Sequence, residues 1–313
     1  MAKERRDEEI LINYRNFKTF DTIQDFSDHY FAKQASGSNR PGGDWAKTIQ
    51  NEWKILEKGL PETIFVRAYE ERMDLLRAVI IGANGTPYHD GLFFFDCFFP
   101  SDYPNGPPKV HYHSGGLRLN PNLYNCGKVC LSLLGTWAGR NKQENWIPRT
   151  STMLQVLLSI QALVLNEKPY FNEPGYEISA GQTQGEKRAY AYTENTFVLS
   201  CKTMQYTLNK PPISFEEFVC GHFRVRAHSI LEACREYLKG AVVGSHVDLE
   251  EPPEEEEEEQ DILNDEKTAL RQFRQSLSVV VGNLVPALIG NGAKDCEKYI
   301  PLGDITRKAP LKI

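Results

Sequence analysis

Eight residues, Leu92-Phe-Phe-Phe-Asp-Cys-Phe-Phe99, constrain this chain more than any other stretch. Their aromatic density reads as a strand. A strand so apolar cannot be left wet, so helices must cover at least one face of its sheet. Residues 63–68 and 75–81 before it, and 109–113 after it, are further β-rich runs with short connections. The turn at 83–87 contains Asn84-Gly85, a hairpin signal. Together the four runs predict a four-stranded antiparallel meander.

Helices to cover it are legible on both sides. Ile49, Trp53, Leu56 and Leu60 fall at i, i+4, i+7 and i+11, predicting an N-terminal helix over 45–58. Asp44 can cap it, and Gly59 and Pro61 end it. Its outer face carries Lys47, Gln50, Lys54 and Lys58, either a solvated face or a docking surface. Met153, Leu157, Ile160 and Val164 predict a buried central helix, capped by Thr150 or Ser151 and running to about Leu165. C-terminal helices follow over 186–208 and from Ser214-Phe-Glu-Glu217, a capping-box signature, to Lys239 with Gly240 beyond. The fold class is α+β.

Residues 1–43 read as an N-terminal extension: a charged start, an aromatic segment that could dock on the core or stay irregular, and a Gly/Ser/Pro linker. The main domain spans 44–240. Residues 241–262 read as an acidic disordered linker, with Glu254–Glu259 unbroken. The tail, 263–313, repeats Leu270, Phe273, Leu277, Val280 and Leu284 as an amphipathic helix ended by Pro286. That helix would cover a groove in cis, self-associate through residues 270–284, or bind a partner. Net charge is −6, so nucleic acid is not favoured as a partner. No unbroken apolar run approaches the ~20 residues of a membrane span. Seven scattered cysteines do not read as a disulfide framework, and a reducing cytoplasmic and/or nuclear setting is expected. The chain is also readable as a piece of a longer protein.

The stretch from Asn120 to Leu134 is a loop by its turn residues, with Cys130 beside a short apolar run. A Pro-rich segment, 100–108, precedes it; its Tyr103-Pro104 bond is a candidate cis peptide. Trp146-Ile-Pro148 follows it. Cys130 lies eight residues after Asn122 in Asn120-Pro121-Asn122, and Gly127 and Val129 lead into it. In this order the parts resemble the core of ubiquitin-conjugating enzymes over roughly residues 44–175. The family has a His-Pro-Asn tripeptide eight residues before its acceptor cysteine. The large-enzyme subgroup is similar to this Asn-Pro-Asn form. It includes plant phosphate-homeostasis conjugating enzymes and the hybrid conjugating enzyme/ligase of the giant inhibitor-of-apoptosis protein. Its core ending resembles Lys168-Pro-Tyr-Phe-Asn-Glu-Pro-Gly-Tyr-Glu177.

The resemblance implies the ubiquitin-conjugating (UBC) fold, with Cys130 accepting ubiquitin from an activating enzyme and passing it to a substrate lysine, with a ligase or directly; the arm and the tail helix favour a member with ligase-like recognition of its own substrates. Asn122 would donate to the oxyanion formed on carbonyl attack or pin the loop. Asn120, Pro121 and Leu131 would shape that loop. Glu173 is the carboxylate expected to ease deprotonation of the incoming lysine. Lys47, Lys54, Tyr103, Pro104, Trp146 and Pro148 would form the partner surface, although Asn105 stands where many ligase-dependent members carry an apolar residue. The polar insert at 138–145 would be a movable rim or an inert loop. No cofactor is expected. A zinc site from His111, His113, Cys126 and Cys130 and a papain-like protease are weaker readings, and the spacing of Cys126 does not fit the family. No phosphate-binding glycine loop is present, so ATP must be used elsewhere. Two rivals remain: an inactive ubiquitin-binding adaptor, and a conjugating enzyme for a ubiquitin-like modifier.

Overall fold

The computed structural model describes residues 2–34, 43–136, 144–245 and 260–307. In order these form α1 (Ala2–Arg15), β1 (Phe20–Ile23), α2 (Gly43–Gly59), β2 (Ile64–Tyr69), β3 (Leu75–Ile81), β4 (Leu92–Phe98), β5 (Lys109–Tyr112), α3 (Met153–Ser159), α4 (Thr183–Asn209), α5 (Glu216–Lys239) and α6 (Gln260–Gly290). The α+β class and the antiparallel meander of β2 to β5 are as expected. The apolar β4 lies inside the sheet and is buried on both faces. Phe93, Phe95 and Cys97 pack with Ile49 and Leu56 of α2 and Met153 and Leu157 of α3. Leu92 and Phe94 pack on the opposite side with Phe197, Phe215 and Phe218. Double coverage explains why the strand shows no polar alternation.

The sheet has a fifth strand. β1 pairs parallel with β2, Phe20 opposite Val66 and Ile23 opposite Tyr69. A parallel neighbour needs a long crossover, and α2 lies within it. Four residues, Phe-Asp-Thr-Ile, are too few to reveal a strand by period. Residues 2–34 therefore dock on the core rather than forming an irregular arm. Asn13 donates to Glu217 of α5 at 2.9 Å. Phe17 packs on Phe218 at 4.8 Å between ring centres, and the Arg67 guanidinium lies 3.9 Å over Phe17. Further along, Arg77 holds Asp28 at 2.7 Å and the fully buried Asp96 at 2.6 Å. Asp96 also accepts the Tyr30 N–H at 2.7 Å.

Asn84-Gly85 sits in a wider connection than a two-residue hairpin. β3 ends at Ile81 and β4 begins at Leu92, with Gly85 at φ 83°. The Tyr103-Pro104 bond is cis. The central helix is capped by Thr152, not Thr150 or Ser151. Thr152 accepts from the Gln155 N–H, and the Gln155 side chain accepts from the Thr152 N–H. The helix gives way at Ile160 to a π turn through Val164. Ser214 does not cap α5: it sits at φ 69°, and Phe215 takes the cap position without a side-chain bond.

Pro286 does not end the tail helix; α6 continues to Gly290. Burial of Leu284, Val285 and Leu288 beside it offsets the ~3 kcal/mol cost of an interior proline. Phe273, Leu277, Val280 and Leu284 are buried with α4 and α5 residues, so the stripe covers a groove in cis. The face expected for self-association is thus already used. Thr268–Gly290 is long and apolar enough to cross a membrane by length and composition. Most of its apolar side chains are packed with those of α4 and α5, which accounts for that composition. The run Glu254–Glu259 and residues 138–143 of the insert lie outside the described residues.

A second buried network ties the sheet's far end to α1 and α5. His222 Nε2 donates to the Asp90 carbonyl at 2.9 Å, leaving Nδ1 to accept from Tyr14 Oη at 3.2 Å. Burial pushes His222 down to about 4. The unfolded chain therefore takes a proton below about pH 6.5 that the folded chain refuses. Stability should fall as pH drops from about 6.5 to about 4, with a His222 contribution on the order of 3 kcal/mol. Burial also lowers His111, to about 4, and His29, so both add in this acidic range. Denaturation midpoints against pH check this: His222→Gln should flatten part of the slope, and an unchanged slope would contradict it.

Candidate active site

Cys130 stands at the base of a small hairpin. Leu123 bridges to Val129, and the Tyr124 N–H donates to the Lys128 carbonyl at 3.0 Å. Gly127 turns the chain at φ 85°, where a side chain would be strained. The Tyr112 N–H fastens the hairpin to β5 by donating to the Gly127 carbonyl at 2.8 Å. Cys126 is exposed in the turn, whereas Cys130 is only 2% exposed.

Two carboxamides lock this loop. Asn120, fully buried, donates from Nδ2 to Tyr88 Oη at 2.8 Å and to the Val164 carbonyl at 2.7 Å. Its Oδ1 accepts the Asn122 N–H at 2.8 Å and Asn172 Nδ2 at 3.4 Å. Asn122 ties the loop to the thiol residue itself. Its Nδ2 donates to the Cys130 carbonyl at 2.8 Å, and its own carbonyl accepts the Cys130 N–H at 2.8 Å. Asn122 Oδ1 is buried with no hydrogen bond among the described residues. The buried Pro121 stiffens the link between these two asparagines. The buried Leu131 donates its N–H to Thr136 Oγ1 at 2.9 Å, fixing the chain just past the cysteine.

Glu173 is not drawn to the thiol by any described contact. Its carboxylate lies 3.9 Å from Arg118, whose guanidinium sits 4.7 Å over the Tyr124 ring at the hairpin. The residues expected at the partner surface separate into two kinds. Lys47 and Lys54 are exposed on α2, Pro148 is exposed, and Pro104 and Trp146 are half-buried. Tyr103 is a correction: it is buried, its hydroxyl donating to Glu52 at 2.7 Å, so it shapes this surface from beneath. Trp146 Nε1 donates to the Pro104 carbonyl at 2.9 Å. Between α2, residues 101–105 and residues 149–152 lies a cleft of about 880 Å³.

Glu52 was missed in the sequence and is central here. It takes the Tyr103 hydroxyl on one oxygen and the Met153 N–H, at the start of α3, on the other at 3.0 Å. Burial raises its carboxyl above the usual range, against the pull of these two bonds. A signal existed: Glu52 lies three residues after Ile49 and four before Leu56, on the apolar stripe. Among the described residues, no three His, Cys, Asp or Glu side chains gather as a metal site. His111 stacks on Tyr30, and His113 Nε2 lies 2.9 Å from Asp96 Oδ2.

A cysteine held by a carboxamide-tied hairpin, beside a meander covered by α2 and α3 on one face and by α4 and α5 on the other, matches what the resemblance to the UBC class of domains implies. The family model described as ubiquitin-conjugating enzyme matches residues 48–198. A relative named as ubiquitin-conjugating enzyme E2 25 of Arabidopsis thaliana is 65% identical over 251 residues, 79% of this chain and 41% of the relative. One named as ubiquitin-conjugating enzyme E2 38, also of Arabidopsis thaliana, is 54% identical over 281 residues, covering 90% of this chain and 83% of the relative. The dual E2 ubiquitin-conjugating enzyme/E3 ubiquitin-protein ligase BIRC6 of Homo sapiens is 38% identical over 239 residues, 71% of this chain and 5% of that protein. This chain belongs to the ubiquitin-conjugating enzyme family. It spans 41% of the first of these plant relatives and 50% of another, named as ubiquitin-conjugating enzyme E2 26 of Arabidopsis thaliana, about half their length or less.

Proposed function

We propose that this chain carries ubiquitin as a thioester on Cys130 and transfers it to substrate lysines. The observation that carries this reading is the tie of Asn122 to the Cys130 backbone, with Asn120 holding the Asn122 N–H, within a chain of this family. The Cys130 thiolate attacks the ubiquitin carboxyl carbon held on the activating enzyme's sulfur. A new C–S bond forms and the activating enzyme's thiolate leaves. A lysine amine then attacks the same carbon, the amide forms, and the Cys130 thiolate leaves.

Asn122 serves both steps. One hydrogen of its amide holds the Cys130 carbonyl, and the second is the donor for the oxyanion. Glu173 is the carboxylate offered to the incoming lysine, with Arg118 competing for it. Lys47, Lys54, Pro104, Trp146 and Pro148 frame the surface offered to the activating enzyme or a ligase. The seven free cysteines support a cytoplasmic and/or nuclear setting. The adaptor reading leaned on the missing histidine, and the four hydrogen bonds of Asn120 weaken that support. A ubiquitin-like modifier remains the second reading, because modifier choice is set by surface contacts with the activating enzyme.

Single-turnover discharge tests the transfer step. Protein charged with ubiquitin is chased with free lysine. Wild type should lose its adduct as ubiquityl-lysine accumulates. Glu173→Gln should slow discharge about tenfold or more while leaving charging unchanged. Equal discharge would remove Glu173 from the mechanism, and an adduct inert to lysine would remove the transferase reading.

A further inference from the structure

The hairpin before Cys130 is braced from outside the motif. His111 and Lys128 pair across from β5, and Ser114 Oγ donates to the Asn125 carbonyl at 2.6 Å. The His111 ring also lies against the turn itself. A Cβ placed on Gly127 would fall 2.0 Å from His111 Cε1, so ring and backbone meet with no room between them. The same ring is stacked on Tyr30, 3.4 Å between centres and 3° from parallel. His111 is thus clamped between the N-terminal segment and the hairpin.

Tyr30 is itself held in place. Its N–H donates to the buried Asp96 carboxylate at 2.7 Å, and Asp96 is gripped by both Nε and Nη2 of Arg77. Its side chain is otherwise turned outward, and the residue is 58% exposed. Such an exposed ring adds little to a core. Its ring pairs among the described residues are the parallel stack on His111 and an edge-on contact with Phe31 at 4.9 Å. Burial and the neighbouring His113 lower His111 to about 4, so the stacked ring is neutral near pH 7.

We propose that Tyr30, acting through the His111 ring, is a positioning residue that fixes the 123–129 hairpin and so sets the place of Cys130 for acyl transfer. This rests on Cys130 being the acyl acceptor. The brace runs from Tyr30 in the N-terminal segment to the reacting loop without touching the cleft at α2. It therefore governs the chemical step rather than docking of the activating enzyme.

The test uses the full chain and compares Tyr30→Ala with Tyr30→Phe, which keeps the stack. Initial rates of thioester formation are measured against the concentration of ubiquitin-charged activating enzyme, together with amide hydrogen exchange over 123–130 and thermal midpoints. Tyr30→Ala should lower kcat about tenfold with KM unchanged, because small misplacement of a reacting group is costly in rate. Exchange in 123–130 should rise, and the thermal midpoint should stay near wild type. Tyr30→Phe should match wild type in all three. Wild-type kcat in Tyr30→Ala, a loss that Tyr30→Phe shares, a change in KM alone, or a loss explained by a lowered midpoint would overturn the proposal. If wild type forms no adduct on Cys130 while exchange still rises in Tyr30→Ala, the brace stands and the assignment of Cys130 fails.

Discussion

Arg77→Ala should destabilise this protein by about 3–5 kcal/mol, a large share of the ~5–15 kcal/mol that holds a typical domain together. Arg77 is fully buried and joins Asp96 of β4 to Asp28 of the N-terminal segment. Burial alone would lower the Arg77 pKa, but the hydrogen bonds and charge of Asp96 together with Tyr69 and Asp28 outweigh it and raise it. For Asp96, burial alone would raise the pKa; His113 and Arg77 outweigh it and hold the carboxyl well below its usual range. Removing the guanidinium leaves an ionised carboxylate at 0% exposure with the Tyr30 N–H and His113 but without its arginine. It also releases Asp28, loosening the segment that carries His29 and Tyr30. The double replacement Arg77→Met with Asp96→Leu should recover most of the loss, because apolar groups need no partner. Chemical denaturation of the three variants decides it. A loss under about 1 kcal/mol in Arg77→Ala would contradict the account. For the same reason, removing residues 1–34 should damage the fold, and cannot serve as a clean test of substrate recognition.

Asn120→Ala should cost about 1–3 kcal/mol, because it strips the buried Asn122 N–H of its acceptor and leaves the Val164 carbonyl and the Tyr88 hydroxyl with only their longer bonds, to Asn172 Nδ2 at 3.2 Å and the Leu119 carbonyl at 3.4 Å. Charging should fall by about a hundredfold or more as the loop loses its place. Asn120→His, which would create the family's more usual tripeptide, should not improve this chain. A neutral imidazole has one donor and one acceptor, whereas Asn120 donates twice and accepts twice. The site is also fully closed to solvent, so the larger ring must displace Tyr88 or the π turn. The measurements are the rate of thioester formation and the denaturation midpoint. A His variant that charges faster than wild type, at unchanged stability, would show that the asparagine is a defect rather than a fitted part.

The meander, the helix stripes and the spacing from Asn122 to Cys130 were legible because each is a local pattern. Ile49 and Leu56, or Phe93 and Phe95, report burial by period alone. What stayed hidden depends on partners distant in sequence. β1 is a strand only because β2 lies beside it, a partner more than forty residues away. Glu52 looks like a surface acid until Tyr103 and Met153 close over it. Thr152 takes the cap from its neighbours Thr150 and Ser151 by its extended backbone, which three adjacent hydroxyl residues cannot reveal. Pro286 reads as a stop because the packing that offsets its cost comes from α4 and α5. At the site, the linear motif placed Asn120, Asn122 and Cys130 together, but it had no means of finding Tyr88, Asn172 or the ring pair of Tyr30 and His111.

The most direct measurement is thioester formation on Cys130. The protein is incubated with ubiquitin-activating enzyme, ATP and ubiquitin and resolved without reductant, beside Cys130→Ala and Cys126→Ala. An adduct that reductant destroys, present in wild type and Cys126→Ala and missing from Cys130→Ala, is the predicted result. An adduct that survives in Cys130→Ala, or none in wild type with ubiquitin or any ubiquitin-like modifier and its own activating enzyme, would contradict the assignment of Cys130 as the acyl acceptor.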